Sequence, residues 1–222
     1  AAGAAAARAV DGVVDALAGA GELTGPLVAR EVAAATGPRD LLVAAASNPV
    51  RDLDLAGAPW AEHPRAVLAN RGLSGIDGTL STASGAALAA GAPTRVLVGD
   101  LAFLHDLNGL LLPPGEPEPD LQAVLVDDDG GGIFTGLEHG EPARAATFER
   151  LFGTPHGADV AALCAGYGLR YAAVHDLRDV RSALAAPPAG RSVVHVRVQR
   201  AHLRALHARL AAAAAAAVTA AG

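Results

Sequence analysis

Arg95-Val96-Leu97-Val98-Gly99-Asp100 and, a little further on, Leu121-Gln122-Ala123-Val124-Leu125-Val126-Asp127-Asp128-Asp129-Gly130-Gly131-Gly132 share one construction: an apolar run closed by aspartate. Runs this short and this continuous mark strands buried on both faces, as in a parallel sheet with helices above and below. A carboxylate where such a run stops stands at the C-terminal edge of the sheet, the edge at which open α/β folds bind ligands. Further runs of the same kind lie at Leu41–Ala46, Ala66–Ala69, Arg170–Val174 and Ser192–Val198. Helix-like segments fall between them at Pro26–Ala35, Gly78–Ala90, Asp106–Leu111, Ala158–Tyr167 and Leu177–Ala185, and two more flank the whole at Ala4–Ala20 and Arg200–Ala217. Thr24 ahead of Gly25-Pro26 is a helix-start signal, since threonine caps free N–H groups and proline suits a first turn. The alternation predicts right-handed crossovers and an α/β domain, doubly wound, with about six parallel strands flanked by helices.

The 222 residues, 51% of them apolar, suffice for one large domain built on such a sheet. The formal charge is −6 and lysine is absent, so every Lys/Arg position is arginine. That balance argues against a nucleic-acid partner, which would call for clustered positive charge. Neither a basic amphipathic helix nor an apolar run of ~20 residues is present, so no membrane insertion is predicted. Cys164 is the sole cysteine, which rules out an internal disulfide and suits the cytoplasm. No signal peptide is recognisable. Methionine is missing even at position 1, so the chain reads as a piece of a longer protein. Residues 1–22 are read as a linker or helical tail of an upstream domain, and 23–222 as the sheet domain. Pro113–Pro119 and Pro187–Gly190 read as surface connections within it.

Polar residues gather after four of the strands. Ser47-Asn48-Pro49-Val50-Arg51-Asp52 follows the first and Asn70-Arg71-Gly72-Leu73-Ser74-Gly75-Ile76-Asp77-Gly78 the second. Asp100 and Asp128 close the next two. Adjacent strand ends are about 5 Å apart, near enough for two carboxylates to share a hard divalent cation. Mg²⁺ takes an octahedron of oxygens, few from protein and several from phosphate and water. The glycine run after Asp129 would let the backbone approach that ion, and its N–H groups suit a phosphate. The alternative is that Asp100 and Asp127–Asp129 are turn residues and helix caps. For Arg51 and Arg71 the alternative is solvated charge at strand ends.

Gly99-Asp100-Leu101 and Asp127-Asp128, separated by Ala102–Val126, resemble the Gly-Asp-Gly and Asn-Asn fingerprint of thiamine-diphosphate enzymes. Longer stretches carry the resemblance further. Ser47–Asp52, Asn70–Thr82, Gly99–Leu110, Asp129–Phe134 and Phe152–His156 look, in that order, like the C-terminal cofactor-binding domain of the 2-succinyl-5-enolpyruvyl-6-hydroxy-3-cyclohexene-1-carboxylate synthases of menaquinone biosynthesis. The likeness runs from Leu23 to Leu210 and implies the thiamine-diphosphate-binding fold.

The resemblance implies roles that composition and spacing do not. Thiamine diphosphate would be held through Mg²⁺, or Mn²⁺ in its place, by the side chains of Asp100 and Asp128 and the carbonyl of Gly130. Gly99, Leu101, Gly131 and Ile133 would complete the cofactor contacts, and Ile76 would hold the cofactor bent. Ser47, Arg51 and Arg71 would bind the carboxylates of 2-oxoglutarate and isochorismate, with Ile133, Phe134 and Leu137 along the apolar side. Arginine suits that task, being always charged and able to grip a carboxylate with two N–H groups. The implied activity is a transferase that decarboxylates 2-oxoglutarate and adds its succinyl unit to isochorismate. In this superfamily the glutamate that activates the cofactor lies on another domain, usually of a partner subunit. No counterpart is found here, so no catalytic residue is assigned and the chain alone is expected to be inactive. The complete enzyme is expected to be a cytoplasmic homodimer or homotetramer. Two departures stand out. The first motif ends in Leu101, which this family itself favours. The second has Asp127-Asp128 for Asn-Asn, which adds negative charge and is expected to keep or tighten Mg²⁺ binding.

Other residues invite blander readings. The histidines show no His-x-His or His-Glu-x-x-His spacing, so zinc is not predicted. His105 reads as site-facing or as surface, His156 has no assigned role, and Cys164 reads as core. Gly72, Gly75 and Gly78 do not make a dinucleotide motif, and no Gly-x-Ser-x-Gly elbow is present. Two competing functions are another thiamine-diphosphate enzyme, such as a 2-oxoacid decarboxylase or acetolactate synthase, and a non-catalytic module that binds a diphosphate or nucleotide. The pair Arg51 and Arg71 favours a dicarboxylate substrate.

Overall fold

Six parallel strands form one sheet in the computed structural model, which describes residues 2–56 and 63–221. In chain order the elements are α1 (Ala2–Gly19), α2 (Gly25–Ala35), β1 (Leu41–Ala44), α3 (Asn48–Ala56), β2 (Ala66–Leu68), α4 (Thr79–Ala90), β3 (Thr94–Gly99) and α5 (Asp100–His105). There follow β4 (Leu121–Asp127), α6 (Ala145–Phe148), α7 (Val160–Gly166), β5 (Arg170–Val174), α8 (Leu177–Leu184), β6 (Arg191–Arg197) and α9 (Arg200–Ala220). The strand order is β2-β1-β3-β4-β6-β5. The chain thus winds from β1 outward to β2, then crosses back to β3 on the other side. That reversal leaves a crevice above the ends of β1 and β3, where a ligand site is expected.

Every strand foreseen from sequence is present. The expected cap at Thr24 is also there: its hydroxyl accepts from the N–H of Leu27 at 3.3 Å. Two segments differ. The loop after β1 is mostly helix, α3, with Pro49 in its first turn, where a missing N–H costs nothing. The helix expected over Asp106–Leu111 instead starts at Asp100, directly on the end of β3, and stops at His105. The reason lies in Asp106, whose carboxylate accepts from the N–H and hydroxyl of Ser81 at 2.7 and 2.9 Å. This bond to the start of α4 breaks the run, and a 3-10 turn, Leu107–Leu110, follows.

Side chains alternate across the sheet with period two. Val96 and Val98 of β3 and Leu121, Ala123 and Leu125 of β4 face a layer that includes Leu80, Phe103, Val160 and Cys164. Leu97 and Val124 face the opposite layer, with Val28 and Val32 of α2 and Val180 and Leu184 of α8. Outside α2, Val10, Val14 and Leu17 of α1 pack with Leu27 and with Leu203, Leu206 and Leu210 of α9. Arg95 interrupts the apolar run of β3 and is 1% exposed. It is tolerated because its guanidinium donates to Gln122 Oε1 (3.1 Å) and to the carbonyls of Ala35 (2.6 Å), Leu184 and Ala186 (both 2.9 Å). Asp40 lies 3.6 Å away as its counter-charge. The buried cation therefore ties the ends of α2 and α8 to the edge of the sheet opposite the site.

Candidate functional site

Strand register decides which carboxylates meet. Gly99 pairs with Val126, so the next residues, Asp100 and Asp127, are neighbours on one face. Asp128 is turned the other way by the pleat. Asp100 is the first residue of α5. Its Oδ1 accepts from the N–H of Leu101 at 2.6 Å and its Oδ2 from that of Gly130 at 2.7 Å. Asp127 Oδ2 accepts from His195 Nε2 at 2.7 Å, and Oδ1 from the N–H of Asp129 at 2.9 Å. An oxygen of each of the two carboxyls lies within 4.8 Å of the other. Burial pushes the pKa of Asp100 up, opposed by the N–H groups of Gly130 and Leu101 and reinforced by Asp127. Burial acts most strongly on Asp127 too, yet His195, the Asp129 N–H and Asp100 together hold it well below the usual carboxylate range.

His156 joins this pair, with Nε2 3.2 Å from Asp100 Oδ2 and 3.7 Å from Asp127 Oδ1. Asp100, Asp127 and His156 are close enough together to suggest a metal triad. The hydrogen bonding argues otherwise. His156 Nδ1 accepts from the N–H of Ala158 at 3.0 Å, so the ring proton is on Nε2 and points at the carboxylates. That tautomer has no lone pair for a cation there.

Asp128 faces a cavity of ≈ 120 Å³ at the β1/β3 crevice, shared with Asp52 of α3 and Asp100. Its Oδ1 is buried with no hydrogen-bond partner among the described residues. Its pKa is raised to about 7, first by burial and then by the charge of Asp100, against the pull of Arg200. Asp52 is likewise raised to about 7 by burial and by Asp128, against Arg51. Three acidic side chains thus crowd a site of low polarity, one of them with an orphaned oxygen. A divalent cation fits this donor set, because it would satisfy that oxygen and favour the ionised forms.

The glycine run has no room for side chains. A Cβ on Gly130 would lie 1.9 Å from the carbonyl oxygen of Gly153, and one on Gly131 2.0 Å from that of Phe152. The run therefore lies flat on the π-helical turn Glu149–Gly153. Arg200, at the start of α9, donates to the carbonyls of Asp128 and Asp129 and pins the loop from the other side. The N–H groups of the run are already used. Gly130 donates to Asp100, Gly131 to Gly153 O at 2.7 Å and Gly132 to Gly130 O at 3.0 Å. The expectation that they are free for a phosphate is not met in this conformation, since packing against the turn turns them inward.

Most of the residues singled out from sequence converge on this cavity. Ser47 lines it, as do Ile76, Gly99, Leu101, Gly130 and Gly131. Ile133 and Phe134 supply its apolar wall. Leu137 stands outside, 50% exposed, because the backbone has turned to give its carbonyl to Arg204. Arg51 and Arg71 are exposed beyond the ends of β1 and β2, which are adjacent strands, and Arg51 Nη1 donates to Ser47 O at 2.6 Å. His105 is exposed at the end of α5. Cys164 is in the core, its thiol pushed up to about 11 by burial. Sequence reasoning quoted Asp52 and Asp127 within motifs without giving either a role of its own, and it did not single out His195. The available signal was a polar residue on an otherwise apolar face: His195 lies among Val193, Val194 and Val196.

Residues 53–198 match the family described as thiamine pyrophosphate enzyme, C-terminal TPP binding domain. A 2-succinyl-5-enolpyruvyl-6-hydroxy-3-cyclohexene-1-carboxylate synthase of Renibacterium salmoninarum is 56% identical over 202 residues, covering 89% of this chain and 36% of that protein. The synthase so named of Kineococcus radiotolerans is 52% identical over 218 residues, covering 98% of this chain and 38% of that protein. This chain thus spans little more than a third of the length of these curated relatives. Among solved structures, benzoylformate decarboxylase from Polynucleobacter necessarius superposes with a TM-score of 0.62 at 19% identity, over 80% of this chain and 33% of that one. At that identity the likeness concerns the fold. The two sequence comparisons bear out the resemblance carried by the motifs.

Proposed function

Since the chain belongs to the thiamine pyrophosphate enzymes through their C-terminal TPP binding domain, we propose that it is the cation- and diphosphate-holding part of a 2-succinyl-5-enolpyruvyl-6-hydroxy-3-cyclohexene-1-carboxylate synthase. The observation that carries the reading is the orphaned Oδ1 of Asp128, buried in a cavity walled by Asp100, Ile76 and the glycine run. Asp100, Asp128 and the carbonyl of Gly130 would hold Mg²⁺, which would neutralise the charge of the cofactor's diphosphate. Bound thiamine diphosphate supplies an electron sink for decarboxylating a 2-oxoacid. Ile76, which lines the cavity, would pack against the bound cofactor. Arg51 and Arg71, at the rim above two adjacent strands, orient substrate carboxylates. Ile133 and Phe134 exclude water from the apolar side. With 2-oxoglutarate and isochorismate as substrates, both are dicarboxylates that suit two arginines. The activating glutamate comes from a part of the protein outside this sequence, and the complete enzyme is a cytoplasmic homo-oligomer.

Calorimetric titration of thiamine diphosphate into this chain tests the cation assignment. Binding is expected with Mg²⁺, to be lost in EDTA and in Asp128→Ala. Affinity unchanged by that substitution would overturn the assignment. For the reaction, the complete enzyme is expected to consume 2-oxoglutarate only when isochorismate is present and to leave pyruvate untouched. Preferential turnover of pyruvate would move the chain to another thiamine-diphosphate activity.

A further inference from the structure

A stripe of polar side chains crosses one face of the sheet from its edge to the site. Tyr171 on β5 and His195 on β6 lie on the face that carries Leu125 and Asp127, because all are separated by the two-residue period from Val193, which pairs with Tyr171, or from Leu125, which pairs with His195. The Tyr171 hydroxyl is 2.8 Å from His195 Nδ1, and His195 Nε2 is 2.7 Å from Asp127 Oδ2. His195 is 5% exposed and Asp127 3%. Each ring nitrogen of His195 thus has its own partner, Tyr171 at Nδ1 and Asp127 at Nε2. Both ring nitrogens are committed, which fixes the orientation of the imidazole. Beyond Asp127, the stripe continues through Asp100 to His156.

We propose that His195, steadied by Tyr171, is a positioning residue for the divalent cation, a role that rests on the reading that Asp100 and Asp128 hold that ion. His195 does not reach the ion. It anchors Asp127 to the inner face of the sheet at the last residue of β4. Because neighbouring residues on a strand point to opposite faces, anchoring Asp127 obliges Asp128 to face the cavity. Asp127 Oδ1 adds to the hold by accepting from the N–H of Asp129, which fixes the turn into the glycine run. Without the imidazole donor, Asp127 is free to swing toward Asp100 and compete for it, and the Asp128 oxygen loses its aim.

The test is Mn²⁺ binding in the presence of thiamine diphosphate, read from the paramagnetic resonance of free Mn²⁺, with thermal unfolding alongside. His195→Leu and His195→Asn are expected to weaken Mn²⁺ about tenfold or more, the scale for residues that orient metal ligands. His195→Gln is expected to bind close to the parent value, because its longer amide can place an N–H where Nε2 stood. Should the leucine variant fail to fold, the asparagine and glutamine variants decide between them. Parent-like binding in a folded leucine or asparagine variant overturns the proposal. So does a glutamine variant as weak as asparagine at equal thermal stability, since packing alone would then explain the loss. An unmodified chain that takes up no Mn²⁺ would instead overturn the cation reading of Asp100 and Asp128, and this role with it.

Discussion

Replacing Asp52 by asparagine should stabilise the metal-free chain, and only above a definite pH. The Asp52 carboxyl is 5% exposed and its pKa rises from 3.8 to about 7, through burial first and the nearby charge of Asp128 second. A carboxyl with a raised folded-state pKa favours its acid form when folded. Below about pH 4 it is protonated in both states and imposes no penalty. As pH climbs from about 4 to about 7 the unfolded chain gains the freedom to ionise and the folded chain does not, so stability falls across that window and then levels off. At about 1.4 kcal/mol per tenfold in proton affinity, the full penalty is on the order of 4 kcal/mol. Asparagine cannot ionise and escapes it. For a domain of this size each kcal/mol moves Tm by about 2–4 °C, so Asp52→Asn should melt roughly 5–15 °C above the parent at pH 8. The gap should close near pH 4. Circular dichroism melts in EDTA at pH 4, 6 and 8 measure this. A gap that is independent of pH, or of the opposite sign at pH 8, would refute the placement of Asp52 as a buried carboxyl facing Asp128.

Two further perturbations probe the frame around the site. Arg95→Leu leaves the carbonyls of Ala35, Leu184 and Ala186 without their donor and Asp40 without its counter-charge. Urea unfolding should show a loss of about 3–5 kcal/mol, and a loss below about 1 kcal/mol would mean the buried cation is dispensable. Gly131→Ala drives a methyl group to 2.0 Å from the carbonyl of Phe152, so the turn at 149–153 must move. It should abolish Mg²⁺-dependent binding of thiamine diphosphate in the calorimeter and cost about 1–3 kcal/mol of stability. Gly136→Ala, with open space around it, is the matched control.

Much of this molecule is legible in its residues because local rules reach that far. Short apolar runs between helical segments locate all six strands, and parallel winding follows from their alternation. Thr24 and Pro26 announce α2 by chemistry that acts within one turn. The aspartates and glycines at strand ends mark the correct edge of the sheet, and the order of motifs from Ser47 to Phe134 marks the family. Pairings between distant segments are another matter. Nothing in the run Asp127-Asp128-Asp129 says which carboxylate meets Asp100; the register of Gly99 against Val126 assigns Asp127, and the pleat then aims Asp128 into the cavity. His195 and Tyr171 lie far along the chain and reach Asp127 only because β6 and β5 close that side of the sheet. Asp52 becomes a buried carboxyl only when α3 folds over the crevice, since burial is a property of what surrounds a residue. Periodicity and capping are written into neighbouring residues, whereas register, burial and the meeting of carboxylates arise when strands from distant parts of the chain lie side by side.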